Sequence, residues 1–302
     1  MTDLAWRPDP AAVGTTNVGR FMAAQHIGSF DELLARSVND PAWFWGATAE
    51  FLGIPFATPW TEVLDVSDGV PWARWFVGGT TNLTSACVDR WADATPDAEA
   101  VRWEGEDGEV RVLTYRELDA EVERFAAALA ARGIGAGDAV GIFLPMLVET
   151  VVAAMAVAKL GALFLPIFSG YGADAIAVRL ADAEAKALVT ADGFLRRGAV
   201  VPMLAVAQDA ASRVDTVQAL FVVPRTSRLQ GGIAVGATTT HDAPTSGRVE
   251  VVPWPAADGP FEPVATVAVD SEHPLFIAYT SGTTGKPKGS VHVHGGFTVK
   301  IA

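Results

Sequence analysis

Between residues 115 and 223 the chain alternates two kinds of segment, and this alternation constrains the fold more than any other feature. The runs AVGIFL (139–144), LFLPIF (163–168), ALVT (187–190) and ALFVV (219–223) are apolar at nearly every position. A strand that is apolar on both sides needs cover on both faces. Between them lie segments with helical spacing. In 115–132 the apolar residues Leu118, Val122, Phe125, Ala126 and Leu129 recur on one face, and Gly133 follows as a stop signal. Segments 149–160, 174–181 and 202–218 are likewise expected to be helical. The pattern predicts an α/β fold in which a parallel sheet is layered with helices. Such a sheet binds ligands beyond the carboxyl ends of its strands.

Composition narrows the partners. Half of the 302 residues are apolar and 19% are charged, enough to build a large core. Lys plus Arg number 22 against 35 Asp plus Glu, a net charge of −13. An acidic surface repels nucleic-acid backbones and anionic membranes, so neither is an expected partner. The single cysteine, Cys87, excludes an intrachain disulfide and a thiolate metal cluster, and points to a reducing, cytoplasmic setting. The opening MTDLAWRP has an acid and a proline and no basic stretch leading into an apolar one, so it does not read as a signal peptide. The charge-free run 160–173 contains Gly161, Pro166, Gly170 and Gly172 and is shorter than the roughly 18–20 residues of a membrane span.

The first third has a different character. Eight of nine tryptophans fall within residues 1–103, and they are read as packing anchors. A helix is expected from Phe30 with Ser29 as its N-cap, and another from Asp40 with Pro41 at its first position. Pro55, Pro59 and Pro71 interrupt the next segment, so residues up to 80 are expected to wrap irregularly over a larger body spanning 81–302. Residues 101–104 and 110–113 flank Asp107 and Gly108, a hairpin signature. Stretch 229–274 is rich in Gly, Thr, Ala and Pro and reads as loops with one short strand at 249–252.

The chemistry concentrates at TSGTTGKPKG (280–289), which leaves the apolar strand 274–279. Gly282, Gly285 and Gly289 let backbone N–H groups turn toward one point and form an anion cradle. Thr280, Ser281, Thr283 and Thr284 add hydroxyls, and Lys286 and Lys288 add positive charge. The set suits a polyphosphate. It is not a Walker A loop: only two residues separate Gly282 from Gly285, and Pro287 follows Lys286. That spacing argues against an ordinary P-loop phosphotransferase.

The order YTSGTTGKPKG (279–289) resembles the phosphate loop of the adenylate-forming superfamily, which includes acyl-CoA synthetases, firefly-type luciferases and peptide-synthetase adenylation domains. LTYREL (113–118) and LGALFLP (160–166) resemble two further elements of that family, in the same order. DPAWFW (40–45) and ARWFVGGTTNL (73–83), followed by CVDR (87–90), resemble the N-terminal extension of acetyl-CoA synthetases, so 1–80 is taken as such an extension and 81–302 as an AMP-binding domain. The resemblance implies the large N-terminal domain of an adenylate-forming enzyme, truncated. It implies a reaction in which a small carboxylic acid attacks the α-phosphate of ATP and CoA thiol then attacks the acyl-adenylate. Lys286 and Lys288 would offset β/γ-phosphate charge with Mg2+ bridging, and the backbone from Gly282 to Gly285 would hold phosphate oxygens.

For CoA, TADGFLRRGAVVP (190–202) resembles a segment that carries two spaced arginines near the nucleotide 3′-phosphate. Arg196 matches the first. The second falls on Ala199, and the adjacent Arg197 is the candidate substitute. Phe168, Ser169 and Gly170 match a Phe-Gly-Gly that lines the CoA path, with Ser169 in place of a glycine. His292 and His294 alternate after residue 290 and are expected on one strand face. A metal site there lacks a third ligand nearby, and His292 matches a packing histidine of the family, so no metal ligand is assigned. The family's adenylation lysine, adenine contacts and acyl pocket have no counterpart before Ala302, so no catalytic residue is assigned either. The expectation is a ligase fragment, inactive by itself and with an exposed sheet edge. The alternatives are a non-catalytic nucleotide-binding remnant or another adenylate-forming enzyme.

Overall fold

Four apolar runs become the centre of a seven-stranded sheet. The computed structural model describes residues 9–226, 248–257, 259–280 and 287–302. The sheet contains β6 (Ala139–Phe143), β7 (Leu163–Pro166), β8 (Ala187–Ala191), β11 (Ala219–Val223), β12 (Glu250–Pro253), β14 (Pro274–Thr280) and β15 (Lys288–Val293), in the spatial order β12-β11-β8-β6-β7-β14-β15. Every neighbouring pair is parallel except β14 and β15, which are antiparallel. Strands β6, β8 and β11 are buried at all five positions, as continuous apolarity requires.

Helices α6 (Tyr115–Ala130) and α7 (Val148–Lys159) pack together, as do α8 (Ala173–Asp182) and α9 (Leu204–Ser212). Because β7 and β8 lie on opposite sides of β6, the usual right-handed crossover rule assigns α7 and α8 to opposite faces of the sheet. Helix α6 starts on a capping box in which Thr114 and Glu117 satisfy each other's backbone N–H groups. Its Phe125 stacks on Trp254 at 4.2 Å and meets Phe221 edge-on at 5.2 Å. Gly141 in β6 allows close layering, since a Cβ there would come within 2.6 Å of Leu180 and 2.9 Å of Leu188.

The segment expected to be helical from 202 to 218 is helical only in α9. Pro202 ends a hairpin that the sequence pattern did not suggest, β9 (Gly193–Arg196) with β10 (Ala199–Pro202). Past Ser212 the chain leaves helical geometry to bury Val214 and Val217. The expected hairpin at 101–113 is present as β4 (Glu99–Glu104) and β5 (Val110–Thr114).

The first third opens with α1 (Pro10–Val13), α2 (Asn17–Ala24), α3 (Phe30–Asn39) and α4 (Pro41–Phe51). Ser29 caps α3 by accepting the Glu32 N–H, and Asp40 caps α4 by accepting the Trp43 N–H. The stretch expected to be irregular holds an antiparallel pair, β1 (Glu62–Asp65) with β2 (Arg74–Val77). It survives the prolines because Pro55 and Pro59 precede it and Pro71 lies in its connection. Strand β3 (Thr80–Thr81) then pairs with β13 (Val269–Asp270). Buried Ser271 donates from its Oγ to the carbonyls of Trp75 and Phe76, at 2.8 and 2.7 Å, and Glu272 accepts the Trp75 N–H at 2.7 Å. A short π-helical turn (Ser85–Asp89) and α5 (Arg90–Ala94) lead back toward α6. The chain closes with α10 (His294–Ile301). No helix among the described residues is long and apolar enough to cross a membrane.

Candidate functional site

Strands β8, β6, β7 and β14 run in one direction side by side, so their carboxyl ends share one edge of the sheet. Three strand spacings of about 4.8 Å separate the outer two, roughly 14 Å in all. The chain places β7 on one side of β6 and β8 on the other. This reversal is where open α/β sheets form a ligand crevice. All three sequence-nominated segments leave this edge: the phosphate loop from β14, the Phe168 segment from β7 and the arginine segment from β8.

The phosphate loop closes a hairpin. Thr280 and Lys288 are cross-strand partners, and both are exposed at the mouth of the turn. Ser281, Gly282, Thr283, Thr284, Gly285 and Lys286 lie outside the described residues. The root of the loop is tied down by groups that sequence reasoning did not nominate. Tyr279 donates its hydroxyl to Asp182 Oδ2 at 2.7 Å. Burial, reinforced by the Asp182 carboxylate, raises that hydroxyl's pKa well above the usual phenol range. The Arg179 guanidinium lies 4.4 Å from the Tyr171 ring and 5.6 Å from the Tyr279 ring. Tyr171 follows Phe168 closely in sequence, so one buried arginine on α8 joins the Phe168 segment to the base of the phosphate loop. Arg179 and Asp182 carry no local signature, since three-residue spacing on a helix is ordinary.

Strand β7 ends at Pro166, which has no N–H to extend the ladder. Phe168 beyond it is 61% exposed and meets Tyr171 edge-on at 5.6 Å. A Cβ on Gly170 would come within 2.6 Å of the Phe168 ring.

Arg196 ends β9, and Arg197 and Gly198 form the two-residue turn at positive φ, 54° and 74°. Ala199, where the family pattern has its second arginine, pairs directly with Arg196. Both arginines are exposed. Nine other described arginines are ion-paired to carboxylates. Arg20, Arg90 and Arg179 donate to an amide side chain or backbone carbonyls, and Arg36 lies over Trp43. Among the described arginines only Arg196 and Arg197 have no such partner. In a chain of net charge −13, two adjacent uncompensated guanidinium groups form a local anion-attracting point.

The two histidines do not share a strand face. Strand β15 ends at Val293, and His292 stacks on Phe276 at 4.3 Å while His294 opens α10 in full burial. Helix formation turns the chain before the alternation can continue. His294 Nδ1 accepts the Leu83 N–H at 3.1 Å, and burial, with a smaller contribution from His273, lowers its pKa to about 3. Among the described residues no three His, Cys, Asp or Glu side chains converge as metal ligands.

A mostly parallel sheet with helices packed against it defines an α/β protein, and the glycine-rich, lysine-bearing segment follows β14 at the carboxyl edge. The family described as AMP-binding enzyme matches residues 88–302, and the chain belongs to it. The acetyl-coenzyme A synthetase N-terminus family matches residues 30–87. Acetyl-coenzyme A synthetase of Mycobacterium tuberculosis is 42% identical over 279 residues, covering 91% of this chain and 40% of that protein. The acetyl-coenzyme A synthetase of Streptomyces avermitilis is also 42% identical, over 272 residues, covering 90% and 39%. Among solved structures, acetoacetyl-CoA synthetase from Streptomyces lividans superimposes with a TM-score of 0.85 at 29% identity, covering 98% of this chain and 44% of that one. The chain thus spans about 40% of the length of the curated relatives it matches.

Proposed function

We propose that this chain forms the phosphate- and CoA-facing part of an AMP-forming acid–thiol ligase that acts on a short carboxylic acid in the cytoplasm. The observation that carries the reading is the exit of all three nominated segments from one sheet edge, with two unpaired arginines at one end of it. In the proposed reaction a carboxylate oxygen attacks the α-phosphorus of ATP and pyrophosphate leaves. The CoA thiol sulfur then attacks the acyl carbon and AMP leaves. Such transfers depend on positioning and charge neutralisation. Thr280, Ser281, Gly282, Thr283, Thr284, Gly285, Lys286 and Lys288 are proposed to bind the ATP phosphates. Phe168, Ser169 and Gly170 are proposed to line the CoA path, and Arg196 and Arg197 to face its 3′-phosphate. Mg2+ is proposed to accompany the nucleotide. The described residues offer it no three-ligand set, and no step is routed through it.

The test is equilibrium binding to the chain. Lys286→Ala should weaken ATP binding roughly 10- to 100-fold, the range of a charge-assisted hydrogen bond. Replacing Arg196 and Arg197 together by Ala should weaken CoA binding by a similar factor and leave dephospho-CoA, which lacks the 3′-phosphate, nearly unchanged. Equal losses for both thiols, or none for either, would remove the arginines from that phosphate.

A further inference from the structure

The turn that carries Arg197 is built against the preference of its own side chain. Two-residue hairpin turns with positive φ at both positions favour Asn, Asp or Gly at the first, because a left-handed L residue crowds its Cβ against the backbone. Here that position is an arginine at φ 54°. The neighbouring turn amide is held from outside the hairpin: Gly198 donates its N–H to Glu106 Oε1 at 3.0 Å. Glu106 sits 92 residues earlier, in the tip of the β4–β5 hairpin.

That tip is itself anchored. Arg225, whose side chain is 11% exposed, donates to Asp107 at 2.8 Å and to Glu109 at 2.6 Å, and lies 5.0 Å from the Trp103 ring. Gly105 leaves room for this, since a Cβ there would fall 2.7 Å from Trp103 and 3.0 Å from the Arg225 guanidinium. The backbone N–H groups of Arg225 and Thr226 donate to Asp192 Oδ1 at 2.9 and 2.8 Å. Asp192 immediately precedes β9. A closed circuit therefore runs from the root of the arginine hairpin, through Arg225, into the β4–β5 tip, and through Glu106 back to the arginine turn.

We propose that Glu106 is a positioning residue for anion recognition: by accepting the Gly198 N–H it holds Arg197 in its left-handed conformation, so that Arg196 and Arg197 are preset for a phosphomonoester such as the CoA 3′-phosphate. The inference rests on the CoA reading above. Glu106 contributes an acceptor to the turn and makes no ion pair with either arginine among the described residues.

The experiment titrates CoA and dephospho-CoA into the 302-residue chain and follows Gly198 amide exchange by NMR. It compares the unmodified chain with Glu106→Ala, Glu106→Gln and the Arg196→Ala, Arg197→Ala double variant. Glu106 is exposed, so its variants keep the fold. Glu106→Ala should speed Gly198 exchange and reduce the preference for CoA over dephospho-CoA about three- to tenfold, the range of one hydrogen bond. Glu106→Gln, which keeps an acceptor, should retain slow exchange and at least the original preference. If the arginine double variant loses the preference while Glu106→Ala keeps it, the positioning role is wrong and the CoA reading stands. A matching loss in Glu106→Gln also overturns it, because the carboxylate charge would then matter and the acceptor would not. If the double variant keeps the preference, or the unmodified chain binds no CoA, the reading beneath fails and the inference fails with it.

Discussion

The sheet and the first third of the chain achieve cohesion by different means. In the sheet, backbone ladders hold the strands, and the layers pack closely through small side chains. Helix α7 buries Ala153, Ala156, Val157 and Ala158, and Gly141 lets α8 approach β6. The first third has only short β pairs and relies on rings. Phe21 meets Phe44 and Phe51 edge-on at 6.0 and 5.4 Å, and Phe76 lies 5.5 Å from Phe56 and 5.3 Å from Trp60. An aromatic side chain buries roughly 150–250 Å² and so replaces several small residues. The ring clusters are also joined to the sheet body through β3–β13, Ser271, Glu272 and Val299 of α10. The contrast predicts that the aromatic region depends on its docking more than the sheet does.

Truncating Phe125 to Ala tests this most severely. Its ring joins Phe221 and Trp254 in full burial, and the cavity should cost about 3–5 kcal/mol. Chemical denaturation should show the sheet and the aromatic region losing structure together, because the docking surface disappears. Survival of the aromatic region would contradict the dependence.

Acid provides the next test. His294 titrates near 6.5 when unfolded and near 3 when folded, so the unfolded chain binds the extra proton first. The contribution is fully present above pH 6.5 and is lost as pH falls toward 3, the loss reaching roughly 2 kcal/mol at pH 5. His294→Asn keeps an acceptor for the Leu83 N–H and removes the titration. Its stability should fall less between about pH 7 and pH 5 than that of the unmodified chain, and parallel pH profiles would contradict the assignment.

Ser271→Ala should cost about 1 kcal/mol, because it removes the buried hydroxyl that the Trp75 and Phe76 carbonyls share, while Phe76 keeps the Gly79 N–H. The loss should be localised: proteolysis within residues 9–81 should accelerate while sheet circular dichroism melts nearly unchanged. Equal shifts in both would show that the two regions unfold as one. A similarly small effect is expected of Asp40→Ala, about 1 kcal/mol from loss of the α4 cap, and again confined to the aromatic region.

Continuous apolarity made the inner strands legible in the sequence, since β6, β8 and β11 allow no polar face. The β9–β10 hairpin was not legible. Its strands are short and half exposed, and its turn begins with an arginine in a conformation that sequence rules assign to other residues. The His292 and His294 face assignment failed because alternation was carried one residue past the end of β15. At the candidate site, Thr280, Lys288, Phe168, Arg196 and Arg197 could be nominated because each sits in a contiguous motif. Arg179 and Asp182 reach Tyr279, and Glu106 reaches Gly198, through tertiary contacts across 92 to 100 residues, and no short window along the chain contains both partners of these contacts.

The exposed pair Arg196 and Arg197 has a kinetic consequence. A polyanion approaching this chain first meets the field of a molecule with net charge −13, and at the hairpin tip it meets two guanidinium groups of the opposite sign. Added salt shortens the reach of both fields, to about 10 Å at 0.1 M. Screening the general repulsion speeds arrival, whereas screening the two guanidinium groups speeds departure. Association and dissociation rates should therefore both rise with ionic strength, so that exchange of ligand quickens more than the equilibrium constant changes.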